Sequence, residues 1–160
     1  ANDYGNLVNR VTMLIHKNFE GKIPKSGIYD EVDLRLISIA KTTPQKVRDN
    51  IDDLKLHDAL ENTLAMIREV NKYLEIRAPW KLIKEDTSQG SVAATTLAVG
   101  ADVLRICSQL LNPVMPERTK VILSILGAHK IPLEKTNWGE LKAGTLLGDG
   151  KSPFPRIEVK

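Results

Sequence analysis

The chain has 160 residues, of which 42% are hydrophobic and 27% charged, and a net charge of +3, which together indicate one globular domain over residues 1–160. Its one cysteine, Cys107, excludes an intramolecular disulfide and a cysteine-based zinc site, and is typical of a protein of the reducing cytoplasm. The longest apolar run, residues 92–111, is interrupted by Asp102 and Arg105, so neither a membrane span nor a signal peptide is predicted.

Hydrophobic periodicity predicts helices along most of the chain and no alternating strand pattern. Four of the five predicted helices cover about residues 1–19, 57–77, 89–111 and 116–127, and the second begins near Asp30. Pro44 lies inside the second helix and should kink it or split it in two. We expect an extended tail over about residues 145–160. The predicted fold is an all-α, five-helix-type bundle with short connections.

The first helix carries three polar residues on one face. Asn2, Asn6 and Arg10 stand four residues apart, so their side chains should be neighbours about 5–6 Å apart. An amide presents donors and an acceptor that suit a nucleobase edge, and arginine adds a fixed charge and a plane that stacks. From this helix alone, a base-reading role is not the simplest interpretation. A face exposed to solvent, or asparagines bonded to a neighbouring loop, would also account for the pattern. Asn9 lies off the line of the other three.

The segment "NKYLEIRAPWKL", residues 71–82, contains a tryptophan directly after a helix stop. An exposed Trp80 beside the rigid Pro79 would be a stacking platform for a base, whereas the alternative is a ring folded over the end of the bundle. Asn71 falls in the apolar stripe of the third helix and should have a buried hydrogen-bond partner. Nearby basic residues that would meet phosphates are Lys72, Arg77, Lys81 and Lys84.

No catalytic or metal site is predicted. The three histidines, His16, His57 and His129, lie on different predicted elements, and the sequence has no glycine-rich phosphate loop. We interpret them as surface or capping residues, and Cys107 as a core residue.

Four sequence features together resemble one known family. The Asn-x-x-x-Asn-x-x-x-Arg spacing, "NKYLEIRAPWKL", "LLNPVMPERT" and "FPRIE" are similar, in this order and over essentially the whole chain, to the α-helical anticodon-binding domain of methionyl-tRNA synthetase, a class I aminoacyl-tRNA synthetase. The tryptophan and the Asn/Asn/Arg pattern belong to the methionine enzyme, whereas the bundle is shared more widely among class I synthetases.

The resemblance implies that the bundle reads the CAU anticodon of methionine tRNA. It implies that Trp80 stacks on the wobble cytosine with Pro79 beside it. It also implies that anticodon bases are contacted by Asn2, Asn6 and Arg10, with support from Asn71. Some family members carry aspartate where this chain has Glu75, so the role of that acid carries over only weakly.

The family's catalytic half has "HIGH"-like and "KMSKS"-like signatures and, in many members, a zinc knuckle, none of which occurs here. The resemblance therefore implies a fragment with no cofactor of its own. ATP and, where present, zinc would belong to the catalytic domain of the parent methionine–tRNA ligase. That catalytic domain is the second expected partner, after methionine tRNA. Neither DNA nor a membrane is an expected partner. The start at Ala1, inside a predicted helix, fits such a fragment.

Two alternatives stay open at this point. The first is a non-enzymatic helical module that binds a protein, with Trp80 as its anchor. The second is a class I synthetase for another amino acid, against which the Asn/Asn/Arg pattern argues.

Overall fold

The computed structural model describes residues 2–148, except for the side chain of Asn2. Within this range the chain forms five long helices and one single-turn helix: α1 Asn2–Asn18, α2 Glu31–Asp52, α3 Leu56–Arg77, α4 Pro79–Leu82, α5 Val92–Leu111 and α6 Pro116–Ile125. No strand forms among the described residues, where a single antiparallel bridge joins Lys22 and Leu146. The prediction of an all-α bundle is confirmed. Most of the predicted tail over residues 145–160 lies outside the described residues.

The apolar helix α5 is the centre of the bundle, and all the other helices pack against it. Its length and composition match those of a membrane-spanning helix, but 89% of its most apolar window is buried inside the protein. This burial identifies α5 as the core helix of the bundle. Cys107 lies here fully buried, and burial raises the pKa of its thiol, as expected for a residue that fills the core.

A buried ion pair on α5 holds the segment that follows α6. Arg105 is fully buried, and its Nε donates to Oδ1 of Asp102 at 2.7 Å. The guanidinium also donates to the carbonyl oxygens of Lys135 and Asn137, at 2.9 and 2.6 Å. Asp102 in turn accepts from the backbone N–H of Gly139 at 2.7 Å. Because both charges are paired and further hydrogen-bonded, their burial is tolerated and orders a segment that has little helical signal.

The helix α2 runs unbroken through Pro44, so of the two expected outcomes, a kink or a split, the split does not occur. A proline inside a helix costs about 3 kcal/mol because it removes a hydrogen bond and crowds the preceding turn. Pro44 is buried together with Thr43 and Val47, on the side of α2 that packs against α3 and α5. This tertiary packing offsets the local cost.

The helices α1, α3 and α5 approach one another closely at Gly100. A Cβ added at Gly100 would lie 3.7 Å from Cδ2 of Leu74 on α3 and 3.8 Å from Cγ2 of Val11 on α1. Because Gly100 has no side chain, α1 and α3 can both pack close to the backbone of α5 at this point. The contact sets α1 beside the C-terminal half of α3, which is where the predicted site residues lie.

Candidate nucleic-acid interface

The backbone turns sharply between α3 and α4. Ala78, the residue between them, has a left-handed conformation with φ of 47°, and its N–H donates to the carbonyl oxygen of Leu74 at 2.8 Å. Pro79 then occupies the first position of α4, where its missing N–H costs no helical hydrogen bond. Pro79 is buried and Trp80 is half-buried. The predicted helix stop before Trp80 is confirmed, and the ring lies on a rigid, well-packed turn.

The structure brings Arg10 of α1 to Trp80, although 69 residues lie between them in the chain. The Cζ atom of Arg10 lies 4.7 Å from the centroid of the tryptophan ring, which is a cation–π contact. Arg10 is otherwise exposed. The polar face of the first helix and the tryptophan after the third, which were separate signals in the sequence, therefore form one surface.

Asn6 lies on this surface, one helical turn before Arg10. It is exposed, and its side chain makes no hydrogen bond with another described residue. The same holds for the amide of Asn9 in the described part of the chain. Within residues 2–148, bonds to a neighbouring loop therefore do not account for these two asparagines. The side chain of Asn2, the third predicted asparagine, lies outside the described residues.

Asn71 and Glu75 lie on α3, one turn apart. Asn71 is half-buried, and the expected buried hydrogen-bond partner of its amide is not found within residues 2–148. The buried side of α3 instead runs through Val70, Tyr73 and Leu74, which places Asn71 at the edge of the packed face. Glu75 is exposed and forms no ion pair with any described residue. Both side chains keep their polar groups available to a ligand.

Arg77 braces the end of α3, and this role was missed in the sequence. Its guanidinium bonds to the carboxylate of Asp30, which caps α2, and lies 3.6 Å from Asp33. The Tyr73 hydroxyl donates to Asp33 at 2.6 Å. The expectation that Arg77 would meet phosphates is wrong, because its charge is neutralised inside the domain. The four-residue spacing of Tyr73 and Arg77 and the acidic start of α2 were the signals available for this brace.

The brace perturbs the titration of its members. The hydrogen bond from Arg77 lowers the pKa of Asp30. Burial raises the pKa of the Tyr73 hydroxyl, and its hydrogen bond to Asp33 raises that pKa further. The three other predicted phosphate-binding residues, Lys72, Lys81 and Lys84, are exposed around the site.

The histidines lie away from this surface. His16 bonds through Nε2 to the carbonyl oxygen of Gly148 at 2.9 Å, which agrees with a structural role, and His57 and His129 are exposed. Among the described residues, no three histidine, cysteine, aspartate or glutamate side chains lie together as a metal site would require.

Comparison with known proteins identifies the family of the chain. The family described as the anticodon binding domain of methionyl tRNA ligase matches residues 23–157. The methionine–tRNA ligase of Caldanaerobacter subterraneus subsp. tengcongensis is 36% identical over 162 residues, which cover 100% of this chain and 25% of that protein. The corresponding ligase of Brucella melitensis is 35% identical over 156 residues, covering 98% of this chain and 29% of that protein.

A solved structure has the same fold. The apo form of Mycobacterium tuberculosis methionyl-tRNA synthetase superimposes with a TM-score of 0.88 at 35% identity, over 98% of this chain and 32% of that one. The chain thus spans about a quarter to a third of the length of these proteins. The fold and these relatives define a helical anticodon-binding domain of the class I aminoacyl-tRNA synthetases. Within that class, the chain belongs to the family of methionyl-tRNA ligase anticodon-binding domains.

Proposed function

We propose that the chain binds methionine tRNA and reads its CAU anticodon at the surface formed by α1 and the α3–α4 turn. The observation that carries the proposal is the 4.7 Å contact between Arg10 and the Trp80 ring. It places hydrogen-bonding groups for base edges beside an aromatic ring for base stacking. Sequence-specific proteins read unstacked RNA loop bases through this combination, and an anticodon loop presents such bases.

In this proposal Trp80 stacks on the wobble cytosine. The Arg10 guanidinium lies over one face of the indole, and a base on the opposite face would complete a three-layer stack. A stacked base is worth about 1–3 kcal/mol. The buried Pro79 and the left-handed Ala78 hold the ring in place before RNA arrives, which reduces the entropy lost on binding.

The remaining bases are read by polar side chains on the two helices. Asn6 presents amide donors and an acceptor from α1, and Arg10 presents guanidinium donors. We assign Asn2 to the same row. Asn71 supports this site from α3. Glu75 lies one turn further along α3, and we assign it to the site only on the weaker family resemblance. The exposed lysines near Trp80 add affinity that does not depend on sequence and that falls with rising salt.

The activity of the whole protein is a further part of the proposal. We assign the chain to a parent methionine–tRNA ligase of the cytoplasm, whose catalytic domain attaches methionine to tRNA in an ATP-dependent reaction for translation. That catalytic domain is the second partner of this chain. ATP and, where present, zinc bind there and not in this domain. DNA and membranes are not partners.

The test is a fluorescence titration of the 160-residue chain with RNA stem-loops that carry CAU or an altered anticodon, each at two salt concentrations. We expect tighter binding to CAU and a loss of affinity as salt rises. Absence of binding at low salt would contradict the proposal and favour a protein-binding module. Equal affinity for all anticodons would favour a synthetase domain for another amino acid.

A further inference from the structure

A second arginine lies against α1, on the other side of the asparagines from Trp80. A Cβ added at Gly5 would lie 3.1 Å from Nη2 of Arg118, so the guanidinium sits directly over the backbone of α1 at this glycine. Glycine is unfavourable inside a helix because of its large conformational entropy in the unfolded chain. Its presence at position 5 makes room for the close approach of Arg118.

Arg118 has no partner for its charge in the described part of the chain. Its Nε is buried and makes no hydrogen bond, and none of the salt bridges among residues 2–148 includes it. Arg118 also lies in the first turn of α6, where the helix dipole disfavours a cation. An arginine held in place without internal compensation is typical of a residue kept for binding.

The position of Arg118 extends the proposed RNA surface. Gly5 and Asn9 are neighbours on α1 because they are four residues apart, and Asn9 adjoins Asn6, which adjoins Arg10. These residues connect Arg118 to the Arg10–Trp80 stack. Gly5 and Arg10 are separated by about 7.5 Å along the helix axis at 1.5 Å per residue. Asn9 and Asn6 between them are exposed, with amides that bond to no other described side chain or backbone group.

We propose that Arg118 binds a phosphate of the RNA strand at the edge of the anticodon-reading surface, a role that rests on the proposed function. A guanidinium matches a phosphate in charge and presents two parallel donors to its oxygens. The row of unpaired amides beside Arg118 favours RNA as the partner, since bases next to the bound phosphate would meet those amides. An acidic side chain of a protein is the other possible source of the anion, and the test separates the two.

The test compares Arg118→Gln with the unchanged 160-residue chain in titrations with the CAU stem-loop between about 50 and 200 mM salt. We expect roughly tenfold weaker binding and a log–log salt slope smaller in magnitude by about 0.7, the value for one lost phosphate contact on a single strand. The ratio of affinities for CAU and an altered anticodon should not change, because a phosphate carries no sequence information. Arg118→Lys should keep the slope and recover part of the affinity.

Arg48→Gln is the charge-matched control. Arg48 is an exposed arginine on α2 that bonds to Thr136 and Gln45, and its loss should change neither affinity nor slope. If Arg118→Gln binds RNA with unchanged affinity and slope while Trp80→Ala weakens binding, the role of Arg118 is overturned and the proposed function stands. If the unchanged chain binds no RNA, both fail.

Thermal unfolding of each variant shows whether it folds. Should Arg118→Gln unfold, the ¹⁵N resonance of the Arg118 Nε–H in the unchanged chain carries the test. That resonance should shift during titration with the stem-loop. A resonance that stays in place at saturation would contradict direct contact with RNA.

Discussion

The brace formed by Arg77 should stabilise the domain and hold Trp80 in position. In Arg77→Met the guanidinium is lost and Asp33, which is 3% exposed, keeps only the Tyr73 hydroxyl and its capping bond to Asp30. A hydrogen bond between charged groups is worth about 1.5–3 kcal/mol, and the partial exposure of Asp30 places the expected loss near the low end, about 1–2 kcal/mol. For a domain of this size, the midpoint of thermal unfolding should fall by about 2–8 °C.

The ion pair of Arg35 with Glu69 supplies the control, because it also joins α2 to α3. Its arginine side chain is 60% exposed, compared with 15% for Arg77. Water and salt screen an exposed pair, so Arg35→Met should change the unfolding midpoint little. The assay is thermal and urea unfolding followed by circular dichroism, with tryptophan fluorescence recorded in parallel. Equal loss of stability in the two variants would refute the reasoning that burial sets the strength of the brace.

Three further predictions concern recognition, packing and pH. Asn6→Ala or Arg10→Ala should narrow the affinity gap between CAU and altered stem-loops by about 1–3 kcal/mol, and an unchanged gap in filter-binding or anisotropy titrations would leave α1 without a base-reading role. Gly100→Ala should stabilise the domain by up to about 1 kcal/mol in urea unfolding, since the added Cβ meets ordinary contacts, whereas Gly27→Ala should destabilise it because the Cβ would overlap a backbone oxygen. The lowered pKa of Asp30 means that its contribution to stability is present above roughly pH 4 and is lost as pH falls below that value. The free energy of unfolding, measured as a function of pH, should show this loss. In Asp30→Asn the free energy of unfolding should depend less on pH in this range.

The helices were predictable from sequence because a helix in a bundle must repeat its apolar residues every three or four positions. The ends of α1, α3, α5 and α6 were predicted to within about three residues. The turn α4 was not, because four residues are too few to show periodicity. The continuity of α2 through Pro44 was not predictable for a different reason. The burial that offsets the local cost of the proline comes from packing against other helices.

The candidate site was only partly predictable. Spacing placed Asn6 and Arg10 on one face of a helix, but it contained no information on what that face meets. The contact of Arg10 with Trp80 depends on how α1 packs against α3 and α5, which is a property of the whole bundle. The same is true of Arg77, whose carboxylate partners lie at the N-cap and in the first turn of α2, 47 and 44 residues away in sequence. Local pattern predicted which residues were polar and exposed, and tertiary packing decided which of them meet.

If Trp80 and α1 together read the anticodon, removing the Trp80 ring should weaken binding of the CAU stem-loop, which a titration of Trp80→Ala measures. The variant should fold, because the ring is only half-buried, and circular dichroism checks this. We expect a loss of about 1–3 kcal/mol in binding free energy, which is about 5- to 150-fold in Kd, with most of it recovered in Trp80→Phe. A folded Trp80→Ala chain that binds the CAU stem-loop as tightly as the unchanged chain would contradict a role of Trp80 in reading the anticodon.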